Sequence, residues 1–586
     1  MQKKMSDNWK NFFKKETFLV GRRPFFWIAG VIFIVFLPTL FYNIVYLDDN
    51  VLAVGHYQFN RHLINIFQAF GEDIFRSVQG GGSFYRPILR WTFIFDAQFG
   101  EGLVIFMSHL TNMILHIISI CLLFYLLLKF EIKKGTALLL SLIFAVHPLT
   151  SQTVAFISGR NDSLLAIFVF PSLIFFLDFL KNNDRRKYVW HLIFLTLALF
   201  TKETAVILPA LCFVYAIVFI GARKIIVDWK KYAFLLTGWL MILIFWFAVR
   251  HGVLENFIGN ADYNIFKAIF NNFPSILPAI GKIILPFGLS VFPVLKDMSF
   301  FYGIVSLIFL ACWFLLSQKK NYKLIMFGFS WFLLFILLTL IKPMDAVPDF
   351  SENRIYLPMF GFIFVILGLG EIRLFHRIKD ELFRKKMLLV MAVSLIVIFS
   401  CVTIYRNQYY KDKMSFWENA VKTSPSFAFN HNNFGAMNYL DKKLDLAEME
   451  FRKALELNPN EKMAHNNLGL IYMDQGDYMR AEAEFEMELK INPYYDNCYA
   501  NRGLLYYKMG KMDQAIADWK KTLEINPNYN SVLHNLAVYY YEQKNFSEAI
   551  FYAQEIVDRG FPLQLELQRL LQPTSFLQLP AVNLKK

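Results

Sequence analysis

Cysteine is scarce in this chain of 586 residues, which contains five cysteines. Four of them lie in apolar runs and one lies in the polar C-terminal part: Cys121, Cys212, Cys312, Cys401 and Cys498. Their spacing matches neither a disulfide framework nor a zinc site. Cysteine usage therefore argues against a fold held by disulfides or structural zinc, and it leaves the redox compartment open.

Charged residues are also scarce, since they make up 18% of the chain while hydrophobic residues make up 56%. This composition is too apolar for an ordinary soluble protein of this size. Long runs of Phe, Ile and Leu fill roughly the first 405 residues, and a polar sequence follows Tyr410. The sequence predicts a membrane domain followed by a water-soluble domain.

Basic residues exceed acidic ones and give a formal charge of +14, but they do not form the stripe that is typical of nucleic-acid binding. They gather in short loops between apolar runs, and several precede the first run: Lys3, Lys4, Lys10, Lys14, Lys15, Arg22 and Arg23. Because basic residues mark the cytoplasmic side of a membrane protein, we expect a cytoplasmic N-terminus.

A cleavage site of small residues is missing after the first apolar run, so we expect residues 25–47 to be a retained anchor. Apolar length predicts eleven crossings, at residues 25–47, 103–129, 136–155, 163–180, 187–204, 205–220, 232–250, 299–317, 323–341, 356–370 and 387–405.

The segment 265–297 contains Pro274, Pro278, Pro286 and Pro293. These prolines predict a re-entrant or broken pair of helices that returns to the outer face.

The polar part of the chain has an internal period of 34 residues. Prolines, glycines, alanines and aromatic residues keep this step: Pro425, Pro459, Pro493 and Pro527; Gly435, Gly469 and Gly503; Ala447, Ala481 and Ala515; Phe451, Phe485 and Trp519. The pattern is that of tetratricopeptide repeats, in which small residues lie where two helices cross. We predict a membrane domain over 1–410, a linker and half-repeat helix over 411–426, four repeats over 427–562 and a tail over 563–586.

Polar residues within or beside the apolar runs collect on the predicted outer side. They are Asp48, Asp49, Tyr85, Arg86, Arg90, His147, Arg160, Asp162, Lys202, Glu203, Glu352, Asn353, Arg354 and Tyr356. Charge at membrane depth is costly unless it faces a polar cavity or a partner. One cavity with two carboxylates and several cations would hold an anionic ligand and still allow base chemistry.

Each of these residues also has a purely structural interpretation. The alternatives are a solvated helix end for Asp48 and Asp49, an ion pair between helices for Lys202 and Glu203, a turn pair for Arg160 and Asp162, a helix cap for His147, and headgroup anchors for Tyr85 and Arg86. Their gathering on one side favours a functional site.

Six sequence blocks precede the repeats in a fixed order. They are YLDDN (46–50), FYRPILRWTF (84–93), SHLTNMILH (108–116), HPLTSQTVAFISGRNDSL (147–164), FTKETAV (200–206) and SENRIYLP (351–358). Together with the repeats, these blocks resemble the transmembrane-and-tetratricopeptide O-mannosyltransferase family and its bacterial relatives. That family looks like part of the GT-C class of membrane glycosyltransferases, which use lipid-phosphate sugars. The resemblance implies an all-α fold, with a GT-C-type membrane domain followed by a tetratricopeptide solenoid.

The resemblance also implies a reaction, the inverting transfer of a hexose, with mannose expected, from a polyprenyl-phosphate sugar to Ser or Thr of exported proteins. In GT-C enzymes the first outer loop carries an acidic residue that acts as the catalytic base and accepts the proton of the attacking hydroxyl. By position this residue is Asp48, with Asp49 as the second choice or as its orienting partner.

The donor phosphate requires positive charge, and Arg354 is the first candidate because a guanidinium fork matches phosphate oxygens. Further cationic candidates are Lys202, Arg160, Arg86 and His147. Supporting residues are Asp162, Glu203, Glu352, Tyr356 and Tyr85. Asn353 stands where many bacterial relatives are expected to have His, which puts the contact at this position in doubt. Neither a metal nor a cofactor is expected, because cations are available to meet the phosphate.

Asparagines recur at the same step along the repeats: Asn433, Asn467, Asn501 and Asn535. They predict a ladder on the concave face that binds the backbone of an extended acceptor peptide. Asparagine is also common at this repeat position, so the alternative is a structural ladder.

The predicted topology places the repeats outside the cytoplasm, in a bacterial inner membrane or, in a eukaryote, with the repeats in the endoplasmic reticulum lumen. Two other functions stay open at this point: glycosyl transfer to a glycolipid or a cell-wall glycan, and a non-enzymatic membrane scaffold that binds partners through its repeats.

Overall fold

The computed structural model describes residues 21–75, 84–254, 265–341, 350–373 and 380–559, with a few single positions beside them. The lysines between residues 3 and 15, the glycine run at 80–82 and most of the tail at 563–586 lie outside the described residues. The chain separates into two compact units, Met1–Ser426 and Phe427–Lys586. We call them the membrane unit and the repeat unit.

Helices form the membrane unit. Their bounds are α1 Arg23–Phe36, α2 Pro87–Ala97, α3 Val104–Lys129, α4 Lys134–Ala145, α5 Asn161–Asn182, α6 Arg185–Thr201, α7 Leu208–Tyr215, α8 Trp229–Leu254, α9 Ile265–Asn272, α10 Ile276–Ile284, α11 Phe301–Leu316, α12 Tyr322–Thr339, α13 Tyr356–Leu369, α14 Glu381–Asn407 and α15 Lys413–Thr423. The all-α prediction is confirmed, because the β contact in the described part of the chain is an isolated bridge between Ser317 and Ile372.

Eight helical stretches among the described residues are long and apolar enough to cross a membrane. They are Arg23–Phe41, Glu101–Lys129, Ile157–Asn182, Glu203–Ile220, Trp229–Leu254, Tyr322–Thr339, Glu352–Leu369 and Glu381–Tyr410.

 Two shorter apolar helices, Lys134–Ala145 and Phe301–Leu316, accompany them. The predicted crossing at 136–155 is wrong in length, since Lys134–Ala145 has 12 residues and spans only about 18 Å of a bilayer core of about 30 Å.

The helix that leads to Lys202 ends sooner than its apolar sequence suggests. Helix α6 stops at Thr201, Lys202 is extended (φ −158°, ψ 136°), and a 3₁₀ turn at Glu203–Ile207 leads into α7. Pro209 lies in the first turn of α7, where its missing N–H costs nothing. Lys202 and Glu203 therefore lie at a junction between two helices, from which their side chains reach different neighbours.

The proline-rich segment forms a broken helix pair, as its sequence predicts. Helices α9 and α10 are separated by a 3₁₀ turn at Phe273–Ser275, where Pro274 lies near the break. Helix α10 then packs closely on α11, since a Cβ at Gly281 would lie 2.6 Å from the backbone nitrogen of Gly303. This contact fixes the helix that carries Lys282.

The repeat unit consists of four helix pairs. Their bounds are α16 Ala428–Leu440 with α17 Leu444–Leu457, α18 Ala464–Asp474 with α19 Tyr478–Ile491, α20 Asp496–Lys508 with α21 Met512–Ile525, and α22 Asn530–Glu542 with α23 Phe546–Asp558. Each repeated glycine lies against the repeated aromatic ring, because an added Cβ would lie 2.6 to 2.7 Å from Phe451, Phe485 or Trp519. The 34-residue spacing thus reflects a real packing constraint at the crossing of each pair.

Helix α15 is the predicted half-repeat helix, and it belongs to the membrane unit, which ends at Ser426. Its aromatic side chains Phe416 and Trp417 are fully buried, as is Ala420. Residues 413–423 are therefore a packed element of the membrane unit.

Candidate active site

The loop after α1 holds the two neighbouring aspartates in different environments. Asp49 is fully buried, and its carboxylate accepts three backbone N–H groups, from Val45 at 2.7 Å, Leu47 at 3.0 Å and Asn50 at 2.9 Å. Burial raises the pKa of Asp49, and these hydrogen bonds oppose that rise. Both carboxylate oxygens of Asp49 thus accept hydrogen bonds from the backbone of its own loop.

Asp48 is instead exposed to solvent, although protein atoms crowd it closely. This crowding, together with the neighbouring charge of Asp49, raises the pKa of Asp48 to about 6, while Arg86 and Arg354 act to lower it. The structure therefore brings Asp48 within electrostatic reach of two of the predicted cations. A carboxylate with such a pKa is suited to accept a proton near neutral pH.

Two ion pairs lie within electrostatic reach of Arg354, and together with Asp48 they define the region that we call the recess. The Arg86 guanidinium makes a fork with Glu203, donating from Nε at 3.0 Å and from Nη2 at 2.5 Å. The Lys202 ammonium donates to both oxygens of Asp162, at 2.7 and 2.9 Å. Lys202 and Glu203 each form an ion pair with a residue of another element, as their structural interpretation predicts, because the helix junction at 202 turns the two side chains to different neighbours.

Arg354 lies in a 3₁₀ turn, Glu352–Ile355, directly before α13. Asp162, Glu203 and Asp48 all act electrostatically on its guanidinium. Arg354 also lines a small cavity of about 20 Å³, whose walls include Lys282 and apolar side chains such as Ile336 of α12 and Phe350. The arrangement joins a positively charged end to an apolar wall.

The neighbouring residue Asn353 contributes polar contacts to the same recess. Its side-chain amide donates to Asp162 at 3.1 Å, and its backbone N–H donates to Gln152 at 3.0 Å. Position 353, which the resemblance leaves in doubt, thus contacts the carboxylate that also holds Lys202.

Glu352 anchors the turn that carries Arg354, through two cations that sequence reasoning missed. The Glu352 carboxylate is fully buried and accepts from Lys282 at 2.7 Å, from the backbone N–H of Ser290 at 3.0 Å, and from Arg406. Arg406 donates in addition to the carbonyl oxygen of Pro148 at 2.6 Å. A lone lysine inside the apolar stretch 276–285 was the available signal, since an intramembrane cation requires a partner.

Arg160 is buried away from solvent, and its N–H groups already have partners. It pairs with Asp96 at 2.6 Å and donates to Thr92 at 3.1 Å and to the carbonyl oxygen of Ser108 at 2.9 Å. The alternative of an Arg160–Asp162 turn pair is wrong. We therefore leave Arg160 out of the site that we propose below.

Three other candidates have their polar atoms engaged in the packing between helices. His147 contacts the carbonyl oxygen of Ile283 at 3.0 Å, and the Tyr85 hydroxyl donates to the carbonyl oxygen of Phe70 at 2.9 Å. The Tyr356 hydroxyl lies 2.6 Å from Ser119 Oγ. These contacts favour positioning roles over direct contact with a substrate.

Two of the repeated asparagines donate to a different asparagine in the preceding repeat. Asn467 donates to Asn432 at 3.0 Å, and Asn501 donates to Asn466 at 2.9 Å. Asn433 donates to the carbonyl oxygen of Phe429, one turn earlier in its own helix, at 2.8 Å. The inner members of the ladder thus have a structural role, which does not by itself decide whether the face binds a peptide.

Among the described residues, no group of three or more His, Cys, Asp or Glu side chains is arranged so that it could hold a metal ion.

Family models match both units of the chain. The model for dolichyl-phosphate-mannose-protein mannosyltransferase matches residues 94–247, inside the membrane unit. Tetratricopeptide-repeat models match residues 450–483, 497–529 and 531–559, inside the repeat unit. The chain is therefore similar to protein O-mannosyltransferases in its membrane unit and to tetratricopeptide proteins in its repeat unit. The order of its two units is the one that the sequence resemblance predicts.

Curated proteins similar to this chain are found in animals. The Caenorhabditis elegans protein O-mannosyl-transferase F38B6.6 is 26% identical over 423 residues, which cover 67% of this chain and 57% of the relative. Human protein O-mannosyl-transferase TMTC1 is 38% identical over 100 residues, which cover 17% of this chain and 10% of that protein. The chain thus spans little more than half the length of the nematode relative and a small part of the human one.

Among solved structures, that of Pseudomonas aeruginosa pilF is similar to 26% of the chain, with 24% sequence identity and a TM-score of 0.25, and 70% of that structure is covered. The assignment of the repeats rests on the family models and on the helix pairs described above.

Proposed function

We propose that this protein transfers mannose from a polyprenyl-phosphate sugar to Ser or Thr of an exported polypeptide, with inversion at the anomeric carbon. The observation that carries the proposal is the position of Asp48, a solvent-accessible carboxylate with a raised pKa within electrostatic reach of Arg86 and Arg354. This is the combination of base and cation that the reaction requires.

In the proposed step, Asp48 accepts the proton of the acceptor hydroxyl while the hydroxyl oxygen forms a bond to the anomeric carbon. The bond from that carbon to the phosphate oxygen breaks on the opposite face, and the polyprenyl phosphate leaves with the electron pair. A single displacement of this kind inverts the anomeric centre. Asp49 keeps the loop in place through its three backbone contacts, so we assign the base role to Asp48 alone.

For the departing phosphate we propose Arg354 as the principal ligand, because a guanidinium can bind two phosphate oxygens at once. Arg354 also lines a small cavity together with apolar side chains such as Ile336 and Phe350. We propose that Lys282, Lys202 and Arg86, through their ion pairs with neighbouring carboxylates, shape the electrostatic field of the recess.

Transfer by the purified full-length chain tests the function. We expect mannose to appear on an unstructured Ser/Thr-rich peptide when polyprenyl-phosphate mannose is supplied, and not when GDP-mannose is supplied. Mass spectrometry of the peptide measures the product. The Asp184→Asn variant, which changes an exposed helix cap, is the matched control and should retain full transfer. Transfer only to a lipid or glycan acceptor would replace the protein acceptor, and a lack of transfer from every lipid-linked sugar would favour the scaffold alternative.

We further propose that the repeat unit lies outside the cytoplasm and binds the extended acceptor polypeptide. Tetratricopeptide repeats are suited to protein interaction, and the asparagines that link successive repeats would keep the shape of the binding face constant. Asn535 is half-buried in the last repeat and is our remaining candidate from the ladder for direct contact with a peptide.

Alkaline phosphatase fused after Lys586 tests this topology, because the enzyme is active only outside the bacterial cytoplasm. We expect an active fusion in intact cells. A β-galactosidase fusion at the same position serves as the reciprocal control and should be inactive. An active β-galactosidase fusion with inactive phosphatase would place the repeats in the cytoplasm and end the idea that they present exported acceptors.

A further inference from the structure

Helix α15 contacts the loop that carries Asp48, although about 365 residues separate them in sequence. The indole nitrogen of Trp417 donates a hydrogen bond to the carbonyl oxygen of Val45 at 2.9 Å. A backbone hydrogen bond of 2.8 Å from Asn43 to the carbonyl oxygen of Lys411 lies beside it. The ammonium group of Lys413 lies 5.7 Å from the centre of the Tyr46 ring.

Val45 connects this helix to the acidic pair. Its carbonyl oxygen accepts from Trp417, and its N–H donates to Asp49 at 2.7 Å. Asp49 in turn holds the N–H groups on either side of Asp48, those of Leu47 and Asn50. A continuous series of hydrogen bonds therefore runs from the indole to the backbone that presents the Asp48 side chain.

The Trp417 ring is itself held firmly. It is fully buried, it stacks on Phe292 with ring centres 6.3 Å apart, and it meets Phe416 edge to face at 5.1 Å. A buried indole N–H requires an acceptor, and Val45 supplies it. Trp417 thus contacts the loop from a rigid base.

The loop needs such support, because one of its residues has an unfavourable backbone conformation. Tyr46 has a φ of 59°, in the left-handed region that residues with a side chain rarely adopt. A strained conformation persists only when its surroundings hold it in place. Here the surroundings are Asp49 on one side and helix α15 on the other.

We propose that Trp417 is a positioning residue for the base, and that helix α15 is part of the catalytic apparatus. The proposal rests on the function proposed above, since it gives Trp417 its role through Asp48. It adds a residue from outside the six family blocks, in a segment that the sequence assigns to a linker and half-repeat.

The Trp417→Phe variant of the full-length protein tests the role of the indole N–H, because phenylalanine keeps a ring in the aromatic cluster and removes the donor. We expect kcat for peptide mannosylation to fall about 10- to 100-fold, the range for a misplaced catalytic group, while KM for the lipid donor changes less than about threefold. Hydrogen exchange measured by mass spectrometry should show faster exchange in the peptide covering residues 43–50.

Trp313→Phe is the matched control, since the Trp313 indole also donates to a backbone carbonyl, that of Gly370 at 2.9 Å, far along the chain from the loop. It should leave both kcat and the exchange of residues 43–50 unchanged. Wild-type kcat and exchange in Trp417→Phe would overturn the proposal. If Trp417→Phe does not fold, Lys413→Ala removes a second contact between α15 and the same loop, and it must then lower kcat and speed exchange of residues 43–50 for the proposal to stand.

The failure of this proposal can be distinguished from failure of the proposed function. If Asp48→Asn loses transfer while Trp417→Phe behaves as wild type, the base assignment stands and the positioning role falls. If Asp48→Asn retains transfer, the assigned base falls, whatever the exchange data show for the loop.

Discussion

Asp48→Asn lowers the rate of mannosyl transfer by about 10²- to 10⁴-fold, the range expected when a general base is lost. Asparagine has nearly the same shape, so the exposed position of the side chain and the packing around it are preserved. What the variant loses is the group that accepts the proton and the negative charge that faces Arg86 and Arg354. Rates measured with saturating donor and peptide, together with the melting temperature in detergent, separate lost chemistry from lost folding.

The pH dependence of the wild-type rate gives an independent check on the same residue. Because the pKa of Asp48 is raised to about 6, its carboxylate is the dominant form above pH 6 and is protonated below it. We therefore expect the rate to fall as the pH drops through about 6, and the small residual rate of Asp48→Asn to lack this acid limb.

Asp49→Asn is the matched comparison for the neighbouring position. An asparagine at 49 would place an amide NH₂ against a backbone N–H that now donates to the carboxylate, so we expect a lower melting temperature. Full transfer by Asp48→Asn together with complete loss in a well-folded Asp49→Asn would reverse the roles that we assign.

Glu352→Ala destabilises the membrane unit by about 3 to 5 kcal/mol, the range for breaking a buried ion pair from one side. The substitution leaves Lys282 and Arg406 buried next to each other with their shared carboxylate removed. Both cations must then be desolvated without a counter-charge, which is the costly case for a buried group. Thermal unfolding of the full-length protein in detergent measures the effect.

Glu381→Ala is the control for this prediction, since it also removes a glutamate from a salt bridge, with Lys385 on the exposed start of α14. Exposed pairs contribute little to stability, so its melting temperature should match that of the wild type. A Glu352→Ala protein as stable as Glu381→Ala would show that the two cations find water or other partners.

Sequence reasoning succeeds where a structural feature repeats or extends over many residues. The 34-residue spacing correctly predicts helix pairs, since a glycine such as Gly469 is required wherever an aromatic ring such as Phe485 crosses it. Apolar runs likewise predict the helices of the membrane unit, because a segment in lipid must satisfy its own backbone. The predicted membrane crossings are wrong where a helix ends earlier than its apolar sequence, as at Ala145.

The partners of charged residues are harder to predict, because they depend on how helices rotate and shift against each other. The sequence shows that Lys202 and Glu203 need partners, and it cannot show that these are Asp162 and Arg86. The same holds for Arg160, whose carboxylate partner Asp96 lies 64 residues earlier. The gathering of charges around Asp48 was predictable from the topology, while the engagement of Asp49 by the backbone required the structure.

The chain divides after Ser426, so helix α15 belongs to the membrane unit and not to the repeat unit. Residues 413–423 resemble the beginning of the repeat array in sequence, but Trp417 in this helix contacts the loop that carries Asp48 and Asp49. Repeats can therefore be gained or lost in evolution beyond this helix without a direct change at that loop. If the repeat unit were exchanged between relatives together with helix α15, the new helix would have to supply a tryptophan or another donor for the loop.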